Sequence, residues 1–287
     1  MSCPDCFKGT LRGDVIPRGK EAPLHGLDTY TSTPPPGAAP LGTVILIADA
    51  FGWKLRNTRA LADAYAARVP CTVHVPDVMG GRAPPEALMA LMEYTPPAAS
   101  WLPVRLALRA WALTRAVPLL ARFLFYNRRS VVRPRVLAFV RAVRAEAGPQ
   151  AKVGVAGFCW GGMYAVQLTH DAPENMSVNG RAVVDCAFTA HPTFTKVPGD
   201  VEKVVRPLSV ANGDDDEQMG ARAMVRLRAI LDAKNEAAGE LVHEAVVYPG
   251  ARHGFAVRGD RADALQKERG ERSEEQAVRW FRVHFQG

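Results

Sequence analysis

The run Gly157-Phe158-Cys159-Trp160-Gly161-Gly162 sets a cysteine at the centre of a Gly-x-Cys-x-Gly motif. It follows the apolar run Lys152-Val153-Gly154-Val155-Ala156 and leads into Met163–Leu168, a pattern that reads as strand, sharp turn and helix. Such a turn forces an unfavourable backbone conformation on its central residue and brings neighbouring chain close, so glycines flank it. A thiol held at a helix N-terminus feels the positive end of the helix dipole, which favours the thiolate. It also needs a base to accept its proton, and a histidine in that role needs a carboxylate to fix its tautomer. Both residue types follow in the chain, first in Asn212-Gly213-Asp214-Asp215-Asp216 and then in Pro249-Gly250-Ala251-Arg252-His253-Gly254-Phe255. Attack on an ester carbonyl builds an oxyanion that needs two backbone N–H donors. The residue after the nucleophile, Trp160, supplies one, and the loop after the first buried strand supplies the other at Ala50.

The elements that must hold these residues are legible from periodicity. Thr43–Ala48 is a continuous apolar run, as in a strand buried on both faces of a parallel sheet, and it ends at Asp49-Ala50-Phe51-Gly52. Helical spacing follows over Leu55–Arg68, then a short strand over Cys71–Val75 with Pro76–Arg82 at its carboxyl end, where ligand-contacting loops gather in open α/β sheets. Further strands are expected over Ala182–Phe188, Pro207–Ala211 and Val242–Tyr248, and helices over Arg135–Ala147 and Gly220–Asn235. His25–Thr31 reads as an edge strand, Ala190-His191-Pro192-Thr193 as a loop, with His191 a turn residue, and Ser273 and Gln276 as the capping box of a closing helix. The stretch 84–134 breaks this rhythm. Leu102, Leu106, Leu113, Val117, Leu120 and Leu124 recur at spacings of three, four and seven, which predicts an amphipathic helix with Pro118 kinking or dividing it. The expectation is one domain over 1–287 with an inserted helical cap over 84–134 whose apolar stripe packs on the body. A membrane-surface helix is the competing reading, because arginines accompany a stripe carrying Trp101, Trp111 and Phe123.

Composition narrows the function classes. With 48% apolar residues in 287, the chain can bury one large core, and no apolar run approaches the roughly 20 residues that span a bilayer. Five cysteines, an odd number in a long chain, argue against a secreted disulfide framework, and Cys3-Pro4-Asp5-Cys6 has no second ligand pair nearby for zinc. A cytoplasmic protein is expected, without a membrane as partner. The net charge of +7 comes largely from arginines, many between Arg105 and Arg144, and mildly favours acidic small molecules. Aromatic residues are not interleaved with them as a stacking platform would require, so no nucleic-acid partner is expected.

Three loops after three consecutive strands thus carry nucleophile, acid and histidine, the chain order of the α/β-hydrolase fold. The elbow motif, together with His253-Gly254-Phe255 and Asp49-Ala50-Phe51-Gly52, resembles the dienelactone hydrolase family. Cys3-Pro4-Asp5-Cys6-Phe7 and His25-Gly26-Leu27-Asp28 resemble its fungal branch. The resemblance implies a mainly parallel sheet flanked by helices and a Cys-Asp-His hydrolase of lactones or esters that works through an acyl-thioester without a cofactor or metal. Among the three aspartates it selects Asp216, three residues beyond Gly213, with Asp214 the main alternative. It implies that Asp49, where the family more often has glutamate, contacts the resting thiol beside Phe51. It also implies that Arg82 and Arg258, each about one position displaced, bind a substrate carboxylate. The large apolar insertion suits a bulky hydrophobic ligand. An acyltransferase or lactone-forming or isomerising enzyme on the same triad, and a non-catalytic ligand-binding or thiol-sensing relative, are the alternatives. A monomer or homodimer is expected.

Overall fold

The computed structural model describes residues 16–85, 88, 91, 94, 96, 97, 99–176, 180–258 and 263–286, so the Cys3–Cys6 pair lies outside the described residues. Eight strands form one sheet: β1 (Lys20–Leu24), β2 (Leu27–Ser32), β3 (Gly42–Ile47), β4 (Thr72–Pro76), β5 (Lys152–Phe158), β6 (Cys186–Ala190), β7 (Leu208–Asp215) and β8 (Glu244–Arg252). Their order is β1-β2-β4-β3-β5-β6-β7-β8, antiparallel at β1–β2 and β2–β4 and parallel from β4 to β8. The expected mainly parallel sheet is therefore present. Its edge is β1, which the sequence reading passed over because Lys20–Leu24 is largely exposed and carries no apolar alternation.

Among the described residues the helices that connect and cover it are α1 (Arg56–Arg68), α2 (Leu102–Tyr126), α3 (Arg129–Glu146), α4 (Trp160–Leu168), α5 (Ala221–Ala238), α6 (Phe255–Arg258) and α7 (Ala264–Gln286). From β3 the chain steps to β4 on one side, and from β5 it steps through β6, β7 and β8 on the other. Right-handed crossovers then put α1 on one face and α4 and α5 on the opposite face. The closing helix α7 joins α1, where Tyr65 and Phe281 meet with ring centroids 6.0 Å apart. Between β3 and β5 the direction of winding reverses, which opens a crevice at their carboxyl ends. Ile47 pairs with Gly157 and Phe158 with Ala190, so the loops that begin at Ala48, Cys159 and His191 emerge side by side into that crevice.

Several boundaries differ from the sequence reading for identifiable reasons. Strand β7 runs on through Asp215 and β8 through Arg252, because a register shift between Gly213 and Asp215 lets the two strands keep pairing past the predicted turn. A Cβ on Gly213 would stand 1.8 Å from the Ala251 carbonyl oxygen, so only glycine permits that approach. Helix α3 begins at Arg129 with Pro134 inside it rather than at Arg135. Helix α2 runs undivided past Pro118; the carbonyl of Thr114, which loses its partner, lies on the exposed side where water can replace it. Helix α7 starts nine residues before Ser273, and Ser273 is buried in its middle. The true cap is Asp263, whose Oδ1 accepts the N–H of Leu265 at 3.1 Å and of Gln266 at 3.3 Å.

Packing of the α2 stripe on the body is also corrected. Only Ala112, Ala116 and Phe123 of this 25-residue helix are buried, with Leu119 and Leu120 packed partly against the core. Two alanines one turn apart let the helix lie on the body along a narrow seam beside the leucine stripe rather than along it. No helix among the described residues is long and apolar enough to cross a membrane.

Candidate active site

Cys159 follows β5 and caps α4, with φ 51° and ψ −117°, a backbone conformation that L-residues avoid and that the surroundings must hold. The neighbouring glycines do so by close approach. A Cβ on Gly161 would lie 2.3 Å from the Ile47 carbonyl oxygen, one on Gly162 2.6 Å from Thr189 Oγ1, and one on Gly157 2.6 Å from Ala165 Cβ. The elbow helix therefore leans on the end of β3 and brings its first N–H groups, Trp160 among them, toward the Asp49–Phe51 loop. N–H groups at a helix start, such as that of Trp160, have no intrahelical partner. In the loop the Phe51 N–H is taken by Asp49 Oδ1 at 3.0 Å.

The structure brings Cys159, Thr193, His253 and Asp216 together in a buried line. Cys159 is 2% exposed, His253 3% and Asp216 2%. His253 Nδ1 lies 2.9 Å from Asp216 Oδ2 and 3.1 Å from Oδ1. Asp216 also accepts the N–H of Gln218 at 2.7 Å and of Met219 at 3.3 Å, so its orientation is fixed from behind. Asp214 and Asp215 are exposed; Asp214 Oδ1 accepts the Gly250 N–H at 2.6 Å, and Asp215 lies 4.0 Å from Arg252 Nε. Thus Asp216, rather than either neighbour, backs the histidine.

Thr193 is the site residue that sequence reasoning missed. Its Oγ1 lies 3.5 Å from Cys159 Sγ and 3.4 Å from His253 Nε2, and its N–H donates to the Cys159 carbonyl at 2.9 Å. A hydroxyl in a loop carries no motif; the only signal was that Ala190–Thr193 follows a strand adjacent to the elbow strand. Replacing Thr193 by valine is expected to lower kcat/KM about ten- to hundredfold, the cost of a lost buried hydrogen bond, whereas serine keeps it within about threefold. Equal rates for the valine and serine variants would show that the hydroxyl has no part in holding His253 toward the thiol.

Charges in this line are strongly coupled. Burial disfavours the His253 imidazolium, yet the charge of a Cys159 thiolate and the hydrogen bond to Asp216 outweigh it and raise its pKa to about 10. Burial likewise opposes the Asp216 carboxylate, but the hydrogen bond and charge of His253 hold it below its ordinary range. A negative charge on Cys159 and a positive charge on His253 thus favour one another. His191 stands in the bend after β6 with φ 40°, but it is fully buried and packs edge-on against His253 at 4.9 Å. Burial lowers its pKa to about 4, against its contact with Cys159, so it stays neutral and adds no second charge beside His253.

Asp49 is buried at the end of β3, and burial raises its carboxyl to about 6 despite the Arg258 guanidinium, whose Nε lies 3.4 Å from Asp49 Oδ2. Arg258, at the end of α6, is itself buried and stands 5.1 Å over the Phe51 ring. Arg82 is placed differently: it is exposed and stacks 4.2 Å above the Tyr126 ring at the end of α2. A cavity of about 600 Å³ adjoins Phe51 and is lined by Trp53, Leu55, Asp77, Gly80 and Ala83.

Comparison with known proteins identifies the family. Residues 27–285 match the dienelactone hydrolase family. The hydrolase pyvD of Aspergillus violaceofuscus is 25% identical over 98% of this chain and 96% of its own, and the hydrolase tropI of Talaromyces stipitatus is 25% identical over 99% and 96%. A carboxymethylenebutenolidase homolog of Mus musculus is 32% identical over 54% of this chain and 51% of its own. Among solved structures, a dienelactone hydrolase-like phosphotriesterase from metagenomic libraries superposes with a TM-score of 0.53 at 18% identity, covering 93% of this chain and 97% of that one. A monoglyceride lipase variant from Saccharomyces cerevisiae superposes at 0.59 with 10% identity, covering 95% and 97%. At these identities the two structures speak for the fold.

Proposed function

The chain belongs to the dienelactone hydrolase family, whose members cleave lactones or esters, and we propose that it does so with Cys159 as nucleophile, His253 as acid and base, and Asp216 as orienting carboxylate. The observation that carries the reading is the buried line from Cys159 Sγ through Thr193 Oγ1 to His253 and Asp216. The Cys159 thiolate attacks the acyl carbon, and the carbonyl oxygen, now negative, settles between the Ala50 and Trp160 N–H groups. Collapse of the tetrahedral adduct expels the alkoxide, which takes the proton from the His253 imidazolium. The acyl group is left as a thioester on Cys159. Neutral His253 then accepts a proton from a water molecule as it attacks the thioester, and the acid leaves as the thiolate and imidazolium re-form. In a lactone, alkoxide and acyl group belong to one molecule, so the same steps open a ring.

The apolar side chains of Phe51, Trp53, Leu55 and Ala83 around the cavity, beside Asp77, support a hydrophobic substrate with a polar group. Arg258 already faces the Asp49 carboxylate, so a carboxylate-bearing substrate would be recognised by exchange of that partner. Mixing the protein with a nitrophenyl ester and quenching in acid is expected to release a burst of nitrophenol of about one equivalent and to leave one acyl group on the Cys159 peptide. A burst with no adduct, or an adduct mapped to another residue, would remove the acyl-thioester. Nitrophenol release without free acid, restored as a new ester when an acceptor alcohol is added, would assign acyl transfer instead.

A further inference from the structure

Helix α2 is the least buried helix of its length in the molecule and the most distinctive in charge. Leu102, Leu106, Leu113, Val117 and Leu124 fall within about 60° of one another around its axis at 100° per residue. All five are exposed, Leu106 at 62% and Val117 at 59%, and Trp101, Trp111 and Phe125 are exposed elsewhere on the circumference. Between Tyr94 and Ala145 the chain has ten arginines and no acidic residue, whereas outside that stretch 29 acidic residues face 26 basic ones. Two of the arginines of α3 find acids elsewhere on the body, Arg133 at Glu174 and Arg144 at Asp185. Those of α2 do not: among the described residues Arg105, Arg109, Arg115 and Arg122 form no ion pair, and Arg115 and Arg122 lie instead over the Trp111 and Tyr126 rings.

We infer that α2 is an interfacial helix that docks this protein on an anionic phospholipid surface. An exposed apolar stripe on a helix whose charges are all positive is the pattern of a helix that lies in the headgroup region, its apolar side in the acyl boundary and its arginines on the phosphates. The helix is some 37 Å long at 1.5 Å per residue, and its arginines keep it in the surface plane rather than across it. A second copy of the chain is the poorer occupant, because pairing through two such stripes brings Arg105 and Arg109 of each copy near one another with no acid to relieve them. The inference stands apart from the chemistry at Cys159, since no residue of the stripe belongs to the candidate site.

The test is flotation of the full chain with vesicles of phosphatidylcholine, with or without about 30% phosphatidylglycerol, at about 0.1 M and 0.5 M salt. Binding is expected to the anionic vesicles only, with a loss of about tenfold or more at the higher salt. Leu106→Glu with Leu113→Glu is expected to abolish it while turnover of a water-soluble nitrophenyl ester stays within about twofold, as both side chains are exposed. Should that pair fail to fold, Arg115→Ser with Arg122→Ser provides the second readout, an expected loss of about twentyfold from two surface arginines. No binding to anionic vesicles, or binding unchanged in a folded variant, overturns the inference. So does a dimer in light scattering that Leu113→Glu disperses while vesicle binding is absent.

Discussion

Cys159→Ala is expected to lower turnover of an activated ester by about 10⁴-fold or more while the protein still folds and melts within a few degrees of the parent. The size of the effect follows from what remains. With the sulfur gone, the Ala50 and Trp160 N–H groups and the cavity can still bind the ester and polarise its carbonyl, but His253 has no nucleophile to serve, so only water can attack. The small effect on stability follows from the packing. Cys159 is held at φ 51° by the contacts of Gly157, Gly161 and Gly162 rather than by its own side chain, and alanine meets the same backbone demand with one atom fewer. Loss of fold together with activity would leave the effect structural, so melting is measured beside turnover. Undiminished turnover in a folded variant would sink the assignment of the nucleophile. Serine at the same place is a sharper probe. An alcohol is far less acidic than a thiol, and without a thiolate beside it the His253 imidazolium loses the charge that most raises its pKa. A deep loss with serine therefore follows from the coupling, and wild-type rates with serine would argue that ionisation of the thiol is not used.

What the sequence made legible is what strand order dictates. The elbow, the histidine loop and the aspartate run were readable because each follows a strand-like apolar run, and parallel strands in register carry their following loops to one edge. The choice among three consecutive aspartates was not decided by local pattern. It depends on the register shift after Gly213, which turns Asp214 and Asp215 outward and Asp216 inward, and a bulge of that kind leaves only a glycine as its trace. Thr193 was hidden for a related reason: its role comes from the loop after β6 folding over the elbow, a tertiary event without a sequence period. Ser273 and Gln276 show the opposite failure. They have the composition of a capping box, but Ser273 lies inside α7 and Gln276 bonds the Tyr248 hydroxyl at 2.8 Å, so the motif was present without its function. The leucine repeat of α2 correctly predicted a helix yet not its packing, because periodicity marks which residues share a face and says nothing of what that face meets.

Asp216→Asn is expected to cost about 10²- to 10⁴-fold in kcat/KM, and Asp214→Asn less than about threefold. At position 216 the carboxylate accepts from His253 Nδ1 with both oxygens, so the ring is held with Nε2 toward Thr193 and Cys159. An asparagine offers a single acceptor and can turn its NH₂ toward Nδ1, which selects the wrong tautomer. Its lost charge has a further consequence with a definite sign. A negative neighbour raises the pKa of an imidazolium, so removing it lowers that of His253 and weakens its hold on the thiol proton. Alkylation of Cys159 at neutral pH should therefore slow in Asp216→Asn, with the thiol titrating at higher pH than in the parent, a readout that mere loosening of a loop would not move in this direction. Stability gives a second check. The folded carboxyl of Asp216 lies below its ordinary value, so its contribution is present above about pH 4 and is lost as the pH falls through the folded pKa. The asparagine variant should be less stable than the parent at neutral pH and converge with it in acid. Asp214 offers the contrast, because asparagine there keeps an oxygen for the Gly250 N–H and nothing in the line to Cys159 changes. Equal losses at both positions would mean that the aspartate run acts through the β7–β8 turn, and the orienting role of Asp216 would have to be abandoned.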